Sequence, residues 1–427
     1  MLNFYDDLLS PCCPSRIVLL GILDAASARQ RVDSKSQSAS PDGLSWTNAF
    51  SGIVDALAAA MPGDEVWVAA GRYTNTLQLP MSAALFSGFA GTESARAQRD
   101  WQANATVIDG GGAAVPVITL PSGTSVQTQV DGFTVQHGRT ELGAGMFCNG
   151  GSPVIMNNRF HELGSNLTIG GGIYVGSGET EIRTNVFDHN RALQGAGIFM
   201  HQSAASVTRN TFRDNSAVKA AAIALDLCTG VVEANLFLRN ACDQSSTVDS
   251  NGSWVEFIRN RFVNNRAGSA GSSGIGCGTN GLALIANNLF ALGIASSGAN
   301  DRASSVNVDD GVIALIWNNT FMDNESHVFG LPAVAAQSGA QIVNNLFVRE
   351  EWALSMPADS LSDIRHNCFF RCAYPWGNQA ALVGLNGTLA ADLGLRAAPL
   401  PAPAQAGFAM PERRQERCAR RHAQTTL

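Results

Sequence analysis

An all-β solenoid of stacked coils is the fold class predicted for this 427-residue chain, and three regularities predict it. Asn-x-Phe recurs nine times, as Asn158/Phe160, Asn185/Phe187, Asn210/Phe212, Asn235/Phe237, Asn260/Phe262, Asn288/Phe290, Asn319/Phe321, Asn345/Phe347 and Asn367/Phe369. Successive phenylalanines are 27, 25, 25, 25, 28, 31, 26 and 22 residues apart, so the unit is one coil of a stack. Five residues before each Phe stands an apolar residue, from Ile155 and Ile182 through Phe257 to Ile364.

The third column lies fourteen residues before Phe, with Met146, Ile173, Ile198, Ile223 and Val248, and is echoed two residues on by Cys148, Val175, Met200, Leu225 and Ser250. Spacing by two is strand spacing with alternating faces. A helical repeat needs a longer apolar period, whereas these runs are short and broken by Gly and Asn. Each coil therefore holds two or three short strands. Stacking sets neighbouring strands about 4.8 Å apart and brings like residues onto like. Asn then forms an amide ladder along the stack and Phe turns inward, which makes both columns architectural.

At the N-terminal end, Arg16 precedes the apolar run 17–23 and Ala26-Ser27-Ala28 offers small residues for cleavage. Residues 1–31 are accordingly read as a leader, although Asp6, Asp7 and Asp24 depart from the usual pattern. The repeat continues without a linker, so 32–392 counts as one domain. Residues 393–427 carry Arg413, Arg414, Arg417, Arg420 and Arg421 and are read as a disordered, atypical tail.

Forty-three glycines and 15% charged residues suit a turn-rich β protein. A net charge of −7, with Lys35 and Lys219 as the lysines, argues against nucleic acid as partner. No apolar run reaches the roughly 18 residues that a membrane span requires. Nine cysteines leave connectivity open, with Cys228/Cys242 and Cys368/Cys372 as conceivable bridges.

The repeats, the glycine-led strands Gly171-Gly172-Ile173-Tyr174 and Gly195-Ala196-Gly197-Ile198-Phe199, and the stretch from Asp42-Gly43-Leu44-Ser45-Trp46 to Val66-Trp67-Val68-Ala69-Ala70-Gly71-Arg72-Tyr73 together carry a family resemblance. The chain resembles secreted bacterial right-handed parallel β-helix repeat proteins of the pectate-lyase-like superfamily. That resemblance implies a right-handed β-helix of about 10–11 coils, a short capping helix near residues 47–61, and export to the cell surface, periplasm or medium. It leaves activity open, because the superfamily holds lyases, hydrolases, adhesins and proteins without known activity. The Asn-Thr-Asp, Gly-His-Gly and Arg-Ile-Lys motifs of its pectin hydrolases do not occur in the sequence; Gln136-His137-Gly138-Arg139 lacks the leading glycine.

Chemistry is expected where outward residues align across coils. Phe147, Tyr174 and Phe199 fall outward on three successive coils and form a ring platform suited to a sugar face. Two residues further along, the column reads Asn149, Gly176, His201, Asp226 and Asn251. His201 and Asp226 are one coil apart, a spacing that can orient an imidazole as general base, with Tyr174 as proton donor and Lys219 as a further base. The solvated alternative is a plain cross-strand pair.

The candidate catalytic residues are thus His201, Asp226 and Tyr174, and the candidate ligand-binding residues Phe147, Tyr174, Phe199 and Asn251. No cofactor is expected; calcium remains conceivable without a motif, and no Cys/His spacing suggests zinc. Glu162, His189, Asp214 and Arg239 read as a solvated ladder. Leu284, Leu315 and Trp317 form a late apolar face, to be covered by a terminal segment or by self-association. Three functions follow: polysaccharide binding, polysaccharide lyase or hydrolase activity, and a structural or adhesive role.

Overall fold

The computed structural model describes residues 28–376, except 270, 297–302, 327–329, 338 and 357–362, together with 389–390. The tail 393–427 and most of the span read as leader lie outside the described residues. All pairings between named strands are parallel and join each strand to its counterpart one coil away, giving sheets of 13, 12 and 13 strands and a fourth of six. The chain is a parallel β-helix. Coils before residue 158, which lack Asn-x-Phe, extend the same sheets toward the N-terminus.

The 13-strand sheet carrying Ile155, Ile182 and Val207 inward is here called the isoleucine sheet. Its counterpart with the phenylalanines is the phenylalanine sheet, and the 12-strand sheet with Met146, Ile173 and Ile198 inward is the site sheet. The nine phenylalanines are at most 2% exposed and stack ring on ring, with centroids 4.4–5.1 Å apart. Burying one such ring stabilises the coil by roughly 2 kcal/mol. Repetition makes this the dominant apolar contribution.

The Asn column sits where each coil turns from the isoleucine sheet to the phenylalanine sheet. The residue before it is left-handed at φ 55–59°, from Asn157 and Thr184 to His366. Such a conformation costs a non-glycine residue about 1 kcal/mol. The Asn amides offset that cost by satisfying the backbone on both sides of the bend. Asn235 Nδ2 donates to Val207 O at 2.8 Å and to Asn260 Oδ1 at 3.1 Å, while its own Oδ1 accepts from Asn210 N and Nδ2.

A second ladder, not anticipated from the sequence, occupies the next corner. Asn190, Asn215, Asn240 and Asn265 stand three residues after Phe, each following a second left-handed residue such as His189 or Asp214. Asn215 Nδ2 donates to Phe187 O and Asn240 Oδ1, both at 2.9 Å. Further along, Glu350 takes the ladder position and accepts from Asn324 Nδ2 at 2.8 Å. Beyond this corner the chain forms the six short strands from Arg191–Gln194 to Glu325–Ser326.

The expected capping helix is Ile53–Ala59, shorter than the 47–61 anticipated, and it buries Ile53, Ala56 and Leu57 in the end of the core. Arg29–Val32 already pairs with Glu65–Val68 as the first strand, so the ordered sheet begins inside the span read as leader. Neither conceivable bridge forms: Cys228, Cys242 and Cys372 are free thiols. Burial pushes the Cys242 and Cys372 thiols up to about 12, which keeps them protonated and unreactive.

Candidate functional site

Strands Met146–Cys148, Ile173–Val175, Ile198–His201, Ile223–Asp226 and Val248–Asn251 lie side by side in the site sheet. Their register places Phe147 beside Tyr174, Tyr174 beside Phe199, and Phe199 beside Ala224. The rings stack: Phe147 and Tyr174 lie 5.2 Å apart at 11°, and Tyr174 and Phe199 lie 5.4 Å apart at 18°. Inward alternation of Ile and Val fixes which side these rings occupy.

Exposure is uneven along the stack. Phe147 and Tyr174 are half-buried, but Phe199 is only 8% exposed and packs with Ala220 and Ala224. Ala224 on the next rung and Ala220 from the preceding corner pack against the Phe199 ring. The expected three-ring platform is therefore corrected to an open pair, Phe147 and Tyr174, backed by a buried third ring.

His201 and Asp226 are direct register partners, and Nδ1 lies 2.8 Å from Oδ2. Their side chains are 36% and 39% exposed, so the pair is reachable from solvent. Asn251, half-buried, is the register partner of Asp226 on the following strand. Lys219 is not part of this group: it lies exposed at the end of Ser216–Lys219 in the fourth sheet.

Asp249 is a site-sheet residue that sequence reasoning missed. It continues the outward column one rung beyond Ala224, yet it is buried, with Ser245 Oγ donating to Oδ2 and Ser246 N donating to Oδ1 at 3.2 Å. Burial raises its pKa to about 6, against the lowering effect of those hydrogen bonds and of the Lys219 charge. A signal was present in the sequence: one acidic residue in a column otherwise aromatic or small, preceded by two serines.

Two open depressions of about 290 and 270 Å³ lie elsewhere, on the outer side of the isoleucine sheet. The larger is lined by Glu181, Arg183, Thr208, Arg209, Glu233 and Ala234. Neither contains the ring pair or His201. On that same sheet the late apolar face is open: Trp317 is 37% exposed, with Leu284 and Leu315 half-buried beside it, and Trp254 and Ile313 extend it at 64% and 56%. The terminal segment expected to cover it lies outside the described residues. Among the described residues, His161, Asp188 and His189 bring metal-ligating atoms together, within 4.8 Å of one another.

Residues 122–290 match the family model of the right-handed β-helix region. Among solved structures, the chain is similar to PfbA, a surface adhesin of Streptococcus pneumoniae, at 13% identity, covering 75% of this chain and 86% of that one with a TM-score of 0.45. It is also similar to the pectate lyase Pel9A (14% identity, 80% of each chain, TM-score 0.33) and to a mannuronic acid specific polysaccharide family 6 lyase from the human gut microbiota (12% identity, 77% and 85%, TM-score 0.33). No curated protein sequence matches the chain.

Proposed function

We propose that this β-helix is a secreted or cell-surface protein that binds a polysaccharide along the outer side of the site sheet. One observation carries the reading: the open Phe147–Tyr174 stack and the His201–Asp226–Asn251 column run along the same side of the same sheet, advancing one residue per coil. The coil repeat of about 4.8 Å is comparable to the length of a sugar ring. Aromatic faces bind the apolar side of such a ring, and the polar column two residues away can bond its hydroxyls. Export is supported by the apolar run 17–23 and the small residues Ala26-Ser27-Ala28, which come before the first strand.

Binding of uronic-acid and neutral polysaccharides, followed by calorimetry, tests this. Tyr174→Ala should weaken binding roughly 5- to 20-fold, the equivalent of one stacked ring contact. It removes only a half-buried side chain, so the coils should remain folded. Unchanged affinity in this variant would reject the site.

A second reading, lyase or hydrolase activity, is favoured by the 2.8 Å His201–Asp226 contact. Asp226 would hold the imidazole so that Nε2 faces substrate as general base, and Tyr174 would protonate the leaving oxygen. If so, His201→Ala should slow release of unsaturated ends or reducing sugar by about 100-fold or more. An unaltered rate in His201→Ala removes this pair from any mechanism. The adhesive reading rests on the exposed Trp254, Ile313 and Trp317, and concentration-dependent self-association abolished by Trp317→Ser would support it.

A further inference from the structure

The outer side of the phenylalanine sheet carries a group of side chains that the polysaccharide reading does not use. His161 and Asp188 are register partners on adjacent coils, and His189 follows Asp188 at the left-handed corner, φ 57°. Both imidazoles turn Nδ1 toward one oxygen: Asp188 Oδ2 lies 3.1 Å from His161 Nδ1 and 3.2 Å from His189 Nδ1. The rings meet edge to face at 79° with centroids 5.7 Å apart. We propose that His161, Asp188 and His189 form a binding site for a divalent transition-metal ion of the zinc type.

Spacing is the first support. Ligands about 2.0–2.1 Å from a tetrahedral ion stand about 3.3–3.4 Å from one another, and the two contacts to Asp188 Oδ2 are within a few tenths of that value. Two nitrogens and one carboxylate oxygen leave a fourth position for water, a donor set that suits zinc rather than calcium.

The surrounding residues supply the second support. The Asp188 side chain is fully buried, and its carboxylate is held from one side by Arg159. Arg159 holds both carboxylate oxygens, Nε donating to Oδ1 at 2.8 Å and Nη2 to Oδ2 at 2.7 Å, which orients the carboxylate; an ion would share Oδ2 with that guanidinium. Arg159 Nη2 also lies 3.2 Å from His161 Nδ1. The same nitrogen faces both Arg159 and Asp188 Oδ2, and it is the atom that would ligate once deprotonated. On the far side of the ring, His161 Nε2 is 3.4 Å from Glu162 Oε1, the outer carboxylate partner that metal-binding imidazoles commonly have. Glu162 Oε2 in turn lies 3.2 Å from His137 Nε2.

Arg159 and Arg213, the latter 3.6 Å from Asp188 Oδ2, are the positive charges that oppose a cation here. Arg159 is paired with both oxygens of Asp188, so a bound ion competes with it for Oδ2, while Glu162 adds a negative charge beside His161. His189, 55% exposed, gives the ion a route from solvent.

Titration of the full chain with zinc under reducing conditions, followed by calorimetry, and with cobalt(II), followed by its visible spectrum, tests the site. One equivalent should bind, with a cobalt spectrum of nitrogen and oxygen ligation. His189→Ala and His161→Ala should each weaken binding at least tenfold. Asp188→Asn removes the buried charge partner of Arg159 and so tests folding together with binding, whereas the exposed His189 tests binding alone. No saturable binding, equal affinity in both histidine variants, or a sulfur-to-metal charge-transfer band showing that cysteines hold the ion would each overturn the proposal.

Discussion

Asn235→Leu should destabilise the central coils by about 4 kcal/mol, because it orphans buried backbone groups at 1–3 kcal/mol apiece. Asn235 is 1% exposed and takes part in five hydrogen bonds. Leucine matches its size but leaves Val207 C=O and Asn210 N–H without their partners, since both bonds run through the lost amide. The loss falls at a left-handed corner, where Ala234 at φ 55° already holds an unfavourable conformation. In a solenoid, each coil is coupled chiefly to its neighbours. Denaturant unfolding should therefore shift to lower midpoint and split toward two transitions, with faster amide exchange centred on Val207–Asn260. Wild-type stability in this variant would show that the ladder is not what holds the corner.

Glu350→Gln should have the opposite sign and a strong pH dependence. Glu350 occupies a ladder position made for an amide and is fully buried there; burial pushes its pKa up to about 8, against the lowering effect of hydrogen bonds from Asn324. The unfolded chain releases this proton near the usual carboxylate value of about 4.3. Between those values the folded state binds more proton than the unfolded one, so stability falls as pH rises. The contribution is complete below the unfolded pKa and lost once pH passes about 8, a change of order 5 kcal/mol.

Glutamine keeps the acceptor for Asn324 and has no proton to lose. The variant should match the parent near pH 5 and melt at clearly higher temperature near pH 9. Asp249 acts with the same sign in a lower window that ends near pH 6. It therefore leaves a residual slope in Glu350→Gln. Identical pH profiles for variant and parent would mean that Glu350 is hydrated rather than buried.

The three inward columns were legible because each is periodic and apolar on its own. The second ladder is written just as openly at Asn190, Asn215, Asn240 and Asn265, but Leu163, Gly293 and Glu350 interrupt its column, so period alone does not single it out. Adjacency of His201 and Asp226 followed from a 25-residue spacing. Burial of Phe199 did not, because it depends on Ala220 at a left-handed corner, which no column records. The convergence at Asp188 was hidden for a related reason. His161 lies in a strand column and His189 in a corner column, so alignment separates residues that the fold brings within 3.2 Å of one oxygen.

Unequal spacing between coils has a consequence for how such a chain can diversify. In each of the nine Asn-x-Phe coils the interval from the isoleucine sheet to Phe is five residues, bounded by the amide ladder, whereas in the earlier coil without that ladder the equivalent Leu85 and Ile108 are 23 residues apart. From Phe to the next site-sheet strand it varies: Val248 follows Phe237 by 11 residues, Ile275 follows Phe262 by 13, Val306 follows Phe290 by 16, and Leu354 follows Phe347 by 7. Extra length in a loop costs little entropy, and here it is spent on one edge of the molecule. That edge borders the face with the stacked rings and His201, so new recognition surface can be added coil by coil while the frame that aligns it stays fixed.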